Sequence, residues 1–147
     1  MHVHSGETRH FSTTKPDKIA LFNNTARAAG ESCIVFTTYH SLHRVVDSGI
    51  DIDCIYFDEA HNSTGKHFFT SVFAVAQYAK RRYFFTATPR NTRSNAYGRG
   101  MNNSDVYGPV LCNVPAPELI EQGAIVPPTV VPFDTDLVRN GSNAHER

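Results

Sequence analysis

No apolar run in this sequence approaches the ~18 residues that a membrane-crossing helix needs. The first residues, Met1-His2-Val3-His4-Ser5-Gly6, lack the basic start and apolar stretch of a secretory signal. These two absences argue against the membrane and for a cytoplasmic location. Cysteine is scarce: Cys33, Cys54 and Cys112 are odd in number, widely spaced and never in a C-x-x-C pair. That argues against a disulfide framework or a zinc site, and for a reducing interior. Charge of one sign is missing too. Lys+Arg is 14 and Asp+Glu is 14, which excludes a strongly basic tail while leaving a local basic patch open. There is no internal repeat and no H-E-x-x-H. His40 and His43 lie three apart and His2 and His4 alternate, but no further ligand arrives at zinc spacing.

What is present is the composition of a soluble globular protein, 40% hydrophobic and 19% charged, which excludes general disorder. The 147 residues make one domain's worth of chain, since domains run roughly 50–250 residues.

The order of elements is informative. Lys15-Pro16-Asp17 opens a helical pattern with Ile19, Phe22, Ala26 and Ala29 on one face, and Gly30 stops it. Cys33–Thr37 is a short unbroken apolar run, which fits a strand buried on both faces. A short helix follows with Leu42, Val45 and Val46, ended by Ser48-Gly49. The next strand is Cys54-Ile55-Tyr56-Phe57. A helix of about residues 64–80 comes after it, with Phe68, Phe69, Val72, Phe73 and Ala76 on its apolar side. Lys80-Arg81-Arg82 reads as the cationic end of that helix. The third strand is Tyr83-Phe84-Phe85. Alternating strands and helices with unbroken apolar strands imply an α/β fold with a parallel sheet. Beyond Pro89 the chain turns polar; Val110-Leu111-Cys112 suggests a last strand and Pro117–Gln122 a short helix.

In open α/β sheets, ligands bind beyond the carboxyl ends of the strands. Here those ends carry Thr37-Thr38-Tyr39-His40-Ser41-Leu42, Asp58-Glu59-Ala60-His61 and Thr86-Ala87-Thr88-Pro89, all along one edge. Adjacent carboxylates suit phosphoryl transfer: Asp58 to hold Mg²⁺ through water, Glu59 to orient or deprotonate the attacking water. A bare Asp-Glu pair is more simply a helix cap. Directly after Cys54–Phe57 and ahead of Ala60-His61, the phosphoryl-transfer reading takes precedence.

Asp58-Glu59-Ala60-His61 followed by Thr86-Ala87-Thr88-Pro89 resembles motifs II and III of superfamily 2 DEAH-type helicases. Thr37–Leu42 is similar to the T-T-Y-x-S-L segment that precedes motif II there. The Thr-Ala-Thr-Pro form resembles the group of type III restriction enzyme subunits and DNA translocases. Tyr107-Gly108-Pro109-Val110 and Glu121–Pro127 resemble that family's link towards its second lobe. The resemblance implies a partial RecA-like (P-loop NTPase) parallel sheet flanked by helices, over residues 1–131, with 132–147 a polar tail or the start of a linker. It implies ATP and Mg²⁺ as cofactors, and nucleic acid, DNA before RNA, as partner. By the same resemblance, Asp58 binds the Mg²⁺ of MgATP and Glu59 is the catalytic base. His61 links the ATP site to motif III, and Thr86, Ala87 and Thr88 belong to the coupling motif. Thr37, Thr38, Ser41 and Arg90 lie near the strand path, where hydroxyls contact phosphates without reading sequence.

One departure is large. The G-x-x-x-x-G-K-[S/T] loop, whose N–H groups and lysine cradle phosphates, does not occur. Ala60–His67 comes nearest, but it has Ala60 in the first glycine's place and His67 where a hydroxyl belongs; Ser63 or Thr64 reads there as a helix cap. The expectation is therefore the latter part of a helicase's first lobe, whose phosphate loop and second lobe come from elsewhere, in cis or in trans. The alternative is a non-catalytic degenerate or split-gene module that binds nucleic acid or a completing partner chain.

Overall fold

Proline at the first turn of a helix has no N–H to lose and a φ that already suits it. So Pro16 opens α1 (Pro16–Ala28), with Asp17 in the first turn and Arg27 in the last, each complementing the helix dipole. Ile19 and Asn23, one turn apart, are its buried residues, and Gly30 follows with φ 73°. α2 (Leu42–Asp47) buries Leu42 and Val45. α3 (Lys66–Tyr78) buries Val72, Val75 and Ala76, the i, i+3, i+4 spacing of one face. It starts later than the sequence pattern suggests because Ala60–Thr64 coils into a 3₁₀ turn first.

The computed structural model describes residues 1–6, 9–92 and 98–131, so the expected 132–147 tail lies outside the described residues. The chain divides into two units, Met1–Pro109 and Val110–Arg147. In the first, β1 (His2–Val3) pairs in parallel with β2 (Phe36–Thr37). β3 (Cys54–Phe57) pairs in parallel with β4 (Arg81–Phe84), in the register Cys54↔Arg81 to Phe57↔Phe84. The architecture is mixed α/β with parallel strands, as expected. Among the described residues, however, the strands form two sheets of two and not one continuous sheet. The Cys33–Thr37 run shrinks to the two residues of β2, and it is not buried on both faces: Ile34 is 65% exposed and Phe36 58%.

The reason is one-sided layering. A strand is apolar on both faces only when layers cover both. Alternation in β3 puts Phe57 in the core, where it stacks on Phe84 at 4.7 Å, while Tyr56 stays 66% exposed and stacks on Tyr83 at 5.4 Å. The core holds Val3, Ile19, Leu42, Phe57, Val72 and Val106 among others. A groove of ≈ 810 Å³ is lined by both the 31–39 and 50–58 segments, Cys33, Phe36, Cys54 and Tyr56 included.

Two further expectations need correction. α3 ends at Tyr78 and Ala79 is already extended, so Arg81 and Arg82 belong to β4 and not to a helix end. Arg82 still meets that end from the strand: its guanidinium donates to the carbonyls of Ala76, Asp105 and Val106 at 2.9–3.1 Å. It thereby ties α4 (Ser104–Tyr107) to the β4 strand. Val110-Leu111-Cys112 forms no strand, and Val110 is 85% exposed. In the second unit the helix expected over Pro117–Gln122 is present as α5 (Ala116–Glu121). Gly123, at φ 71°, closes it by donating to the Ile120 carbonyl at 3.0 Å.

Leu42 is 2% exposed within this core. Leu42→Ala should cost about 2–5 kcal/mol in a denaturant melt, as large-to-small changes in packed sites do. Ile34→Ala, on the open face, should stay within about 0.5 kcal/mol.

Candidate functional site

The β3–β4 ladder outruns the strands themselves. Phe85 N–H donates to the Phe57 carbonyl at 2.9 Å, and Ala60 N–H returns to the Phe85 carbonyl at 2.8 Å. These two bonds set Asp58-Glu59-Ala60-His61 beside Thr86-Ala87-Thr88-Pro89. Five of the residues singled out in the sequence therefore meet in space: Asp58, Glu59, His61, Thr86 and Thr88.

His61 is the hub. Its Nδ1 lies 3.0 Å from Thr86 Oγ1, 3.3 Å from Thr88 Oγ1 and 3.4 Å from Glu59 Oε2. A carboxylate oxygen can only accept, so the tautomer carrying hydrogen on Nδ1 satisfies this arrangement best. Thr86 Oγ1 also accepts from Thr88 N–H at 3.2 Å, so the Thr-Ala-Thr turn is closed on the same hydroxyl. Ala87 is exposed within that turn.

Asp58 and Glu59 do not cap a helix. α3 begins only at Lys66, behind Gly65, and the intervening 3₁₀ turn has no side-chain cap bond. The simpler capping reading thus loses its helix. Both carboxylates are exposed. Asp58 Oδ1 accepts the Glu59 N–H at 2.9 Å, and the Asp58 carbonyl accepts the Tyr39 hydroxyl at 2.8 Å. Burial pushes the Tyr39 phenol up to about 12, with Tyr107, Asp58 and Glu59 acting in the same direction. Below the turn, Ser63 is fully buried and does not cap a helix; its hydroxyl donates to the Ala60 carbonyl at 2.6 Å and meets the Tyr107 hydroxyl at 2.9 Å.

The remaining residues sit differently. Thr37 Oγ1 is engaged by the carbonyls of Val3 and Thr38 at 3.3 and 3.2 Å. Thr38 is exposed at the end of β2, whereas Ser41 is buried. Arg90 is exposed, and its carbonyl accepts the Met101 N–H at 2.8 Å. The sequence reading overlooked Tyr39 and Tyr107, although both lie inside quoted motifs. Their hydroxyls act across 19 and 44 residues of chain, and no local pattern encodes that.

Among the described residues, no three His, Cys, Asp or Glu side chains gather into a metal cage. Mg²⁺ needs none when it arrives with substrate phosphates, because one or two carboxylates and water complete its shell. The exposed carboxylate of Asp58 is a donor of that hard type, so the residues fit the ion.

Residues 4–91 match the model of a family described as type III restriction enzyme, res subunit (ResIII). A solved structure of similar fold is that of a nuclease-deletion mutant of the type ISP restriction-modification enzyme LlaGI in complex with a DNA substrate mimic. It matches at 23% identity and a TM-score of 0.64, covering 84% of this chain and 11% of that one. At that identity the likeness shows the fold alone. No curated protein matches the chain.

Thr86→Val removes the hydroxyl shared by His61 and Thr88. It should cost about 1–2 kcal/mol in a denaturant melt and shift the His61 ring ¹⁵N signals. Raising the pH gives a second check. The Tyr39 phenol ionises later in the folded chain than in the unfolded one, so the unfolded chain loses its proton first. Stability should therefore fall as pH climbs from 10 towards about 12, and Tyr39→Phe should flatten that fall.

Proposed function

Since the chain belongs to the family of type III restriction enzyme res subunits, a helicase-like family of nucleic-acid-related ATPase motors, we propose that it forms part of a motor's first RecA-like lobe. Its work there is Mg²⁺-dependent ATP hydrolysis driving movement on nucleic acid, DNA before RNA. The observation that carries this reading is the His61 hub, which joins the Asp58-Glu59 turn to Thr86 and Thr88 through side-chain contacts of 3.0–3.4 Å.

Mg²⁺ bound with ATP would neutralise charge on the β- and γ-phosphates. Asp58 would hold that ion through water. Glu59, the next residue in the chain, would take the proton of the attacking water. His61, bonded to Thr86 and Thr88, passes a change at the carboxylates to the motif III turn. Thr38, exposed at the end of β2, is better placed than buried Ser41 to meet a phosphate of the nucleic acid. Arg90 is equally accessible for that contact.

The phosphate loop is not among the 147 residues, so its strand, loop and helix join in cis or in trans, and so does the second lobe with its arginine finger. The open sheet face supports this. Tyr56, Phe85, Phe36 and Ile34 are all more than half exposed, and the groove beside them follows the 31–39 and 50–58 segments. An uncovered apolar sheet of this kind calls for a further layer. The chain covers 11% of the LlaGI structure it matches, which suits a part of a larger motor.

Assayed alone, the chain should release no phosphate from ATP above the Glu59→Gln background. Supplied with a family member's phosphate-loop segment and second lobe, it should hydrolyse ATP with stimulation by DNA. Glu59→Gln should then lower kcat by about 10²–10⁴-fold, the usual worth of a general base. Turnover that survives Glu59→Gln would overturn the assignment. An inert complex that still binds DNA would instead identify a degenerate binding module.

A further inference from the structure

Among the described residues, Glu59 is the one non-glycine residue with left-handed backbone, at φ 47° and ψ 49°. That conformation costs an L-residue about 1–2 kcal/mol, so the surroundings have to hold it. Three of the bonds that do so are local or continue the ladder. Glu59 N–H donates to Asp58 Oδ1, the Glu59 carbonyl accepts from Asn62 N–H at 2.9 Å, and Ala60 N–H donates to the Phe85 carbonyl. The fourth comes from another segment: the Tyr39 hydroxyl donates to the Asp58 carbonyl.

That hydroxyl is well fixed. The Tyr39 ring stacks on Phe57 with centroids 6.2 Å apart and lies tilted against Phe68 at 5.8 Å. Its bond falls on the carbonyl of the very peptide that joins Asp58 to Glu59. The plane of that peptide sets the φ of Glu59, and so the placement of one carboxylate relative to the other. Backbone outliers of this kind cluster at functional sites when the structure around them over-determines them. Tyr39 is also the residue directly after Thr37-Thr38, so the same side chain belongs to the strand end proposed to meet the nucleic acid.

We propose that Tyr39 is a positioning residue: its hydroxyl keeps the Asp58–Glu59 peptide turned so that Glu59 holds its left-handed conformation, and it ties that turn to the end of β2. Contact of a nucleic-acid phosphate with Thr38 then acts on the water-activating carboxylate through Tyr39. The catalytic consequence rests on the motor reading above; the bond and the turn do not.

Tyr39→Phe keeps the ring and removes the hydroxyl. In the isotopically labelled chain, the Glu59 HN–Hα coupling and Cα shift report its φ. Tyr39→Phe should move both away from left-handed values while the core signals of Val72 and Val75 stay in place. If the Glu59 signals stay at wild-type values, the proposal is wrong, whatever the protein's activity. In the completed ATPase, Tyr39→Phe should lower kcat about 10–100-fold, the usual scale for a misplaced catalytic group. KM for ATP should stay within about twofold, a change confined to kcat marking a transition-state effect, and the stimulation by DNA should be lost. An unchanged kcat beside a Glu59→Gln enzyme that is inactive would also refute it. If Glu59→Gln itself has no effect, the motor reading has failed, and the Glu59 coupling still decides the turn. Should Tyr39→Phe not fold, 3-fluorotyrosine at position 39 keeps ring and hydroxyl with a lower phenol pKa. The Glu59 coupling should then follow the phenol titration in the folded chain, and a coupling that ignores the titration would refute the proposal.

Discussion

Two parallel strands, Cys54–Phe57 and Arg81–Phe84, stay paired beyond their own ends, through Phe85 N–H to the Phe57 carbonyl and Ala60 N–H to the Phe85 carbonyl. Parallel pairing requires a crossover, which α3 supplies. It also brings the carboxyl ends of both strands to the same edge. The contacts of His61 with Thr86 and Thr88 depend on that register. A slip of one residue would turn Phe57 out of the core and carry His61 away from Thr86. The stacked Phe57 and Phe84 rings, 4.7 Å apart on the helix-covered face, hold the register against such a slip.

The same pairing explains the asymmetry of the first unit. One face of the β3–β4 sheet carries Phe57 in the core with Val72 and Val75 of α3, and half-buried Phe84 packs against it. The other carries Tyr56, Tyr83 and Phe85 in a stacked row, and Tyr56 and Phe85 are more than half exposed. Burial of such side chains is worth roughly 1.5–3 kcal/mol each. The open face therefore holds a substantial free energy that a further layer would release. Arg82 works at the opposite face, where its three carbonyl partners join the end of α3, β4 and the Asp105-Val106 part of α4. Its charge-assisted bonds are of the stronger kind.

Around the turn itself, neutral hydrogen bonds do more than ion pairs. Tyr39, Ser63, Thr86 and Thr88 each place a hydroxyl on a backbone group or on His61, while Asp58 and Glu59 remain exposed. This leaves the two carboxylates open to solvent while the backbone of Glu59 is held in an uncommon conformation. The exposed ion pairs Arg27–Asp51 and Lys80–Asp53 lie on other segments and, in water, are worth little.

The sequence by itself determined the order of elements from α1 to β4, the parallel sense of the strands and the identity of the turn residues, while β1 (His2–Val3) and α4 (Ser104–Tyr107) carry no signal that foretold them. Proline at a helix start, i, i+3, i+4 apolar spacing and short apolar runs are local signals, and Pro16, Val72 with Ala76, and Cys54–Phe57 behave as those signals require. Grouping Asp58, Glu59 and His61 with Thr86 and Thr88 was also legible, because strand ends in a parallel sheet share an edge. Tertiary structure alone decided the rest. It placed Arg82 in a strand, since the Ala79 backbone turns extended one residue past the helix. It reduced Cys33–Thr37 to two strand residues, since an apolar run becomes a buried strand only under two layers. It put Glu59 in the left-handed region and laid the Tyr39 hydroxyl on the carbonyl before it. Those last two facts depend on contacts across 19 residues and on ring packing against Phe57 and Phe68, and neither periodicity nor a motif carries that kind of distance.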